Sequence, residues 1–336
     1  MYFVEEASYS DWCNHLQKCQ KINLLQSWQY GNAKQEVSKW NVNRFLIMDD
    51  QKNIVGIAQV LSFSLPLIGG LVRMNRGPLL VGSNGQKQNS NTLHKVIIAL
   101  LGEFKKRRWW LAQIAPEANY SKSNNDFLKN IGFKKLALIP YSSGLLNLEA
   151  SEEKLLMGLK KKWRYSLKKS QSDEINISIV DGNSQDCEML VKQYTKFKIE
   201  NDFSGIPDSL VSSLAAQKAK GWEFNIIIAK KVSSLSIMNC NGMLVSICHG
   251  DTSTYFIGVT NNEGRELQVN YLLLWQAILH AKSIGCKWFD IGGLDATTPK
   301  GIAHFKKGLQ AEPYALIGEW RGFILPWKNI KTKNIL

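Results

Sequence analysis

Along the first half of the chain, apolar residues recur at two alternating spacings, and each change of spacing marks a new element. Over 10–20, Trp12, Leu16 and Cys19 fall three or four apart behind Ser10, which predicts a helix capped by that serine. Over 44–48 and 54–63 the apolar residues crowd into short runs around the polar turn Asp49-Asp50-Gln51-Lys52-Asn53, the pattern of a β-hairpin. A short strand over 72–75 stops at Arg76-Gly77-Pro78. Leu93, Val96, Ile97, Leu100, Leu101 and Phe104 then repeat at helical spacing through 92–106, and 109–115 reads as a strand ending at Pro116. A short helix over 124–130 and strands over 136–139 and 144–147 close this half.

The second half runs through the same order. It predicts a helix over 151–169, a strand over 175–180, helices over 186–200 and 207–220, and a meander of strands over 223–231, 242–248 and 254–259. A long helix over 270–284 ends before Gly285, as a C-terminal glycine would end it, and a strand over 287–291 leads into Gly292-Gly293. Both halves thus contain a meander, a helix of about four turns and a strand directly behind it. This is the pattern of a structural duplication. The expected class is α/β, with mixed sheets of the α+β kind and helices on both faces. The halves should meet near 148–151, where no low-complexity linker intervenes.

Composition narrows the partners more than the fold. With 11 Trp, 10 Tyr and 13 Phe the chain has ample core material, and no apolar stretch approaches the ~20 residues of a spanning helix. The opening Met1-Tyr2-Phe3-Val4-Glu5-Glu6 has neither a basic start nor an apolar core, so a cytoplasmic location is expected. Six cysteines, at 13, 19, 187, 240, 248 and 286, show no C-x-x-C spacing and read as reduced thiols. The 42 Lys and Arg against 28 Asp and Glu leave a formal charge of +14, which favours a polyanionic partner without naming one.

Several familiar chemistries lack their signatures. The five histidines (15, 94, 249, 280 and 304) show no H-E-x-x-H spacing, and neither G-x-x-x-x-G-K-[ST] nor G-x-S-x-G occurs. What remains is a set of weaker features. Residues 160–169 hold six cations in ten positions, which is either a stripe for phosphates or a solvated helix face. Asp290 ends a strand before Gly292-Gly293, where it could orient a reacting group or accept turn amides. His304, Phe305, Lys306 and Lys307 form an aromatic–cation cluster in what reads as a glycine-bounded loop, suited to stacking a base or to burying a ring.

Taken in order, these stretches resemble the Fem family of peptidoglycan-bridge aminoacyltransferases. The resemblance runs from Leu25-Gln26-Ser27-Trp28-Gln29-Tyr30-Gly31 and Lys34, through Arg76-Gly77-Pro78 and the basic helix 162–169, to Thr254-Tyr255-Phe256-Ile257-Gly258. It closes with 270–278, Ala281-Lys282-Ser283-Ile284-Gly285, Phe289-Asp290-Ile291-Gly292-Gly293 and Phe305-Lys306-x-Gly308. It implies two tandem acetyltransferase-like (GNAT) domains: 1–148 completed by strands within 312–336, and 149–311, with no coiled-coil insertion.

The resemblance also implies a reaction: transfer of an amino acid from aminoacyl-tRNA to an amine of a UDP-linked or lipid-linked peptidoglycan precursor. The RNA is a co-substrate and no cofactor is expected. Lys34, with Tyr255, would bind the precursor's phosphates; Arg76, Arg164 and Lys198 are further candidates for substrate binding. Phe305 and Lys306 would hold the 3′ end of the tRNA, with Lys306 facing the tetrahedral oxyanion and Asp290 accepting a proton or orienting the amine. One departure is visible: the family's T-x-x-R-x-G-F helix is represented by Thr195, Lys198 and a late Asp202-Phe203. The expected assembly is a monomer in peripheral contact with an anionic membrane surface. The rival readings are an acyl-CoA-dependent N-acyltransferase and a non-catalytic RNA- or precursor-binding module.

Overall fold

A computed structural model describes residues 2–65, 69–82, 89–171, 174–182, 185–232 and 240–324. In chain order its elements begin with β1 (Phe3–Glu6), α1 (Tyr9–Leu16), α2 (Trp28–Glu36), β2 (Asn41–Met48), β3 (Ile54–Leu65), β4 (Gly69–Asn75) and β5 (Leu79–Leu80). There follow α3 (Ser90–Lys106), β6 (Trp109–Ala115), α4 (Lys122–Asn130), β7 (Lys134–Lys135), β8 (Ser142–Asn147), α5 (Glu152–Gly158), α6 (Lys161–Ser170) and β9 (Ile175–Asp181). Next come α7 (Gln185–Glu200), α8 (Asp208–Ala216), β10 (Trp222–Lys231), β11 (Gly242–His249), β12 (Thr252–Thr260), α9 (Asn262–Glu266) and α10 (Val269–Ser283). The series ends with β13 (Trp288–Asp290), α11 (Lys300–Lys307), β14 (Glu312–Ala315) and β15 (Trp320–Phe323). The chain divides into two compact units, Met1–Ser142 with Tyr314–Leu336, and Ser143–Pro313. Of the C-terminal strands expected over 312–336, the part from 325 onward lies outside the described residues.

In the first unit the sheet order is β1-β2-β3-β4-β6-β15-β7, with β5 beside β3. One neighbouring pair, β4 and β6, is parallel, registered from Gly70 opposite Trp109 to Asn75 opposite Ala115. β3 is buried through 56–62 because both of its faces are covered. Ala58 and Val60 join Phe45, Val72, Met74, Ile114 and Trp320 under the apolar side of α3, while Ile57 packs on the other face with Trp12, Ile22 and Leu79.

The second unit repeats the plan with the order β14-β8-β13-β12-β11-β10-β9. Its parallel pair is β12 and β13. Helix α10 is buried nearly all round, as its run of Leu272, Leu273, Leu274 and Trp275 requires, and it packs with Trp163 and Leu167 of α6 against Ile227, Leu244 and Phe289.

Some expectations are corrected. The helix over 151–169 is two helices, α5 and α6, because Leu159 is extended and the Lys160 amide turns to the carbonyl of Gly308. The loop around Lys306 is helix α11, bounded by Pro299 and Gly308. Residues 136–139 form no strand, and Leu138 and Ile139 are exposed ahead of Pro140. The cap of α1 is Ser8, which accepts from the Asp11 amide, and not Ser10.

Candidate active site

The parallel pair of the second unit stays together for only three registered positions, Thr252–Trp288, Ser253–Phe289 and Thr254–Asp290. β12 then runs on to Thr260, while β13 ends at Asp290 and the chain turns away through Ile291, Gly292 and Gly293. The two strands part, leaving a wedge with Tyr255 at one side and the glycine turn at the other. At the same level β12 carries an extra residue, Phe256, between the pairs Val245–Ile257 and Ser246–Tyr255. Such a bulge re-aims the neighbouring side chains.

Lys306 fills this wedge. It projects from α11, is 5% exposed, places its Nζ 4.5 Å from the centre of the Tyr255 ring, and donates to the Gly293 carbonyl at 3.4 Å. Among the described residues no carboxylate lies within ion-pair distance of it. Burial pushes its pKa down to about 8, while the carboxylates of Asp290 and Asp295 act in the opposite direction. The turn must be glycine here. Gly292 has φ +73°, and a Cβ on it would meet the Tyr255 carbonyl at 3.0 Å and Lys306 Nζ at 3.1 Å.

Tyr255 lies back along its own strand. A Cβ on Gly258 would fall 2.1 Å from the Tyr255 hydroxyl, which explains the spacing of Tyr255 and Gly258 read in the sequence. Burial of that hydroxyl, and then the nearby Tyr194, push its pKa up to about 12, so it stays protonated and able to donate. Tyr194 in turn carries Lys198, whose Nζ lies 4.9 Å from its ring centre and 2.5 Å from Asp208. With Thr195 Oγ1 donating to Asp208 at 2.7 Å, α7 uses its polar face to fix the 201–208 segment.

Asp290 and Phe305 are held by residues the sequence did not connect to them. Asp290 is 3% exposed; Ser143 Oγ is hydrogen-bonded to its Oδ1, which also accepts from the Gly292 amide at 2.9 Å. That arrangement shapes the glycine turn. Phe305 stacks on Trp163 at 6.0 Å and meets Tyr271 edge-on at 5.0 Å, and Trp163 Nε1 donates to the Phe305 carbonyl at 3.1 Å. Arg164 turns from this cluster to the C-terminal end of α5, donating to the carbonyls of Met157 and Leu159 at 2.7 and 2.5 Å. The structure thus gathers Lys306, Asp290 and Tyr255 around one wedge, seats the adjacent Phe305 on Trp163 and Tyr271, reaches Lys198 through Tyr194, and gives Arg164 a capping role.

The remaining two candidates belong to the first unit. Lys34 sits in the last turn of α2, half-buried, and its ammonium has no acidic partner among the described residues. Burial, and then Arg73, lower its pKa. An anion would relieve both effects. Arg76 is 8% exposed and forms a two-pronged pair with Glu117, both contacts at 2.8 Å, with Tyr314 Oη 3.0 Å away. Burial alone would pull its pKa down, but Glu117 and the two tyrosines Tyr314 and Tyr141 hold it well above the ordinary value. Its guanidinium is committed to the interior.

Comparison with known proteins adds a partial family match and a fold. Residues 214–335 match the model of the FemAB family. No curated protein matches the sequence. Among solved structures, the chain superposes on FemX with a TM-score of 0.77 at 15% identity, covering 96% of this chain and 97% of that one. A tandem GNAT protein from the clavulanic acid biosynthesis pathway gives 0.56 at 12% identity, covering 98% and 99%. L-PGS from Bacillus licheniformis gives 0.53 at 7%, covering 98% and 95%. The fold is therefore the tandem GNAT arrangement with mixed sheets that the motifs implied. Among the described residues no helix is long and apolar enough to cross a membrane.

Proposed function

We propose that this protein transfers an aminoacyl group from an aminoacyl-tRNA to an amine of a peptidoglycan precursor, in the cytoplasm and with no cofactor beyond the RNA-borne donor. The FemAB match over 214–335 covers the wedge and both of its walls. The observation that carries the reading is Lys306, an ammonium without a carboxylate partner among the described residues, buried where β12 and β13 part.

An aminoacyl ester is already activated, so the site has little covalent work to do. The acceptor nitrogen attacks the ester carbon, a C–N bond forms, and the carbonyl electrons move to oxygen. On collapse the C–O bond breaks, the amine's proton leaves, and the ribose oxygen gains one. With a pKa of about 8, roughly nine in ten Lys306 side chains carry charge at pH 7. Held in a site of low dielectric, that charge stabilises the oxyanion. Asp290 acts by fixing the turn that carries Gly293, and Phe305 acts as a ring wall for the donor's terminal base. Lys34, beside Arg73, is the group we assign to the precursor's phosphates.

The test is label transfer from radioactive aminoacyl-tRNA to a panel of UDP-linked and lipid-linked precursors, run beside acyl-CoA donors. Transfer that RNase abolishes, and that Lys306→Met lowers about a hundredfold or more, is the expected result. Transfer from acyl-CoA alone would overturn the reading.

A further inference from the structure

Helix α6 has two faces in different company. Inward, Trp163 and Leu167 are buried, and Trp163 stacks on Phe305, the residue before Lys306. Outward stands Tyr165, 71% exposed. Its four helical neighbours, three and four positions away on either side, are Lys161, Lys162, Lys168 and Lys169, and all four are exposed. None has an acidic partner among the described residues, although Lys198, Lys218 and Lys231 elsewhere in the same unit are each paired with a carboxylate.

This pattern works against the helix itself. Arg164 lies three or four positions from Lys160, Lys161 and Lys168, and like charges at those spacings are destabilising. Lys161 and Lys162 occupy a first turn that has no acidic residue, where cations oppose the helix dipole. A face needed only for solubility would intersperse the two signs. An aromatic ring framed by four cations instead suits a base with a phosphate on either side.

We propose that the outer face of α6 is a docking surface for a single-stranded RNA segment, with one base stacked on Tyr165 and the flanking phosphates on Lys161, Lys162, Lys168 and Lys169. The identification of the RNA as the donor's 3′ end rests on the function proposed above. A membrane surface is the weaker fit. An amphipathic helix lying in a lipid interface presents several large apolar residues outward, whereas Trp163 and Leu167 of α6 are turned into the core. The same helix would then grip the RNA on one side and, through Trp163, position Phe305 on the other.

The experiment measures fluorescence anisotropy of a labelled eight-nucleotide single-stranded RNA with the full chain, across a salt series. Four phosphate contacts predict a slope of log K on log salt near −3. Tyr165→Ala should weaken binding about tenfold at an unchanged slope, and Tyr165→Phe should restore it. Lys168→Glu with Lys169→Glu should make the slope shallower by about 1.5. Binding of Tyr165→Ala within twofold of the parent would overturn the proposal. So would equal competition from a blunt RNA duplex of the same length, which offers no free base. Loss of binding to phosphatidylglycerol vesicles in Tyr165→Ala, with RNA binding untouched, would overturn it in favour of a membrane. Aminoacyl transfer is assayed in parallel. A parent that binds RNA through Tyr165 yet transfers nothing supports the docking surface and removes the donor reading. A Tyr165→Ala enzyme that transfers with an unchanged KM for the tRNA overturns the docking surface alone.

Discussion

The buried ammonium of Lys306 makes a quantitative prediction that needs no substrate. An unfolded lysine titrates near 10.5 and this one at about 8. Between those values the unfolded chain holds a proton that the folded chain has released, so stability rises with pH from about 8 to 10.5. Integrated over the difference, burial of Lys306 costs about 3 kcal/mol at pH 7 and about 1 kcal/mol at pH 10. Lys306→Met keeps much of the side-chain volume and removes the titrating group. The variant should gain stability relative to the parent at pH 7, and about 2 kcal/mol of that gain should vanish at pH 10. Any fixed difference between a neutral amine and a thioether drops out of the comparison, as does the titration of every other group. Urea unfolding followed by tryptophan fluorescence, with a reductant present for the six thiols, gives both numbers. A stability difference that is the same at pH 7 and pH 10 to within about 0.5 kcal/mol would refute the buried ammonium, without a carboxylate partner among the described residues, on which the site is built.

The same titration predicts that the transfer rate of the parent falls as pH rises past about 8; Lys306→Arg, which stays charged, should retain measurable transfer without that fall. On the turn-shaping role proposed for it, Asp290→Asn should lower the rate while leaving the ascending limb of the pH profile in place; disappearance of that limb would assign Asp290 the proton. Glu117→Gln should cost about 3–5 kcal/mol in thermal or urea unfolding by removing the negative charge that answers buried Arg76, and Arg76→Met with Glu117→Leu should recover most of the loss. Gly258→Ala should shift the melting temperature little but lower transfer sharply, because the Tyr255 hydroxyl has to leave its place beside Gly258 and take with it the ring that Lys306 faces; a crystal structure or the rate itself would reveal an unmoved ring.

How much of this was legible in the sequence depended on whether a signal was local. The long helices and the meanders announced themselves because α3 and the β10–β12 run carry strong periodicity against a single core. Helix α2 was missed because it buries only Gly31 and Ala33, so its apolar period is faint; Ser27, which caps it by accepting from the Tyr30 amide, was the available clue. The break between α5 and α6 is set by a hydrogen bond from Lys160 to Gly308, some 150 residues on, and no local pattern encodes it. The apolar run before Pro140 pointed to a strand, but after Leu136, whose amide donates to the Glu319 carbonyl, 137–139 bend away without strand pairing. At the site, Lys306, Tyr255 and the glycines were readable as motifs. Their partners Ser143, Trp163 and Tyr271 were not, because each is brought in by sheet order or helix packing.

The two sheets are the same device put to opposite ends. In each, one parallel pair of strands creates a place where backbone partners run out and a side chain must fill the gap. In the first unit β4 and β6 stay paired to Asn75 and Ala115, and the residues just beyond, Arg76 and Glu117, answer each other at 2.8 Å under Tyr314. That end is shut, and its cation is held above its ordinary pKa. In the second unit pairing stops at Thr254 and Asp290, and Asp290 is turned to Ser143 and the Gly292 amide. Lys306 is left facing a ring and a carbonyl, at a cost of about 3 kcal/mol at neutral pH. A protein assembled for stability alone would answer that cation as it answers Arg76. With no carboxylate at ion-pair distance among the described residues, the charge fits the oxyanion role proposed above, that of a group kept ready for an anion arriving with the substrate.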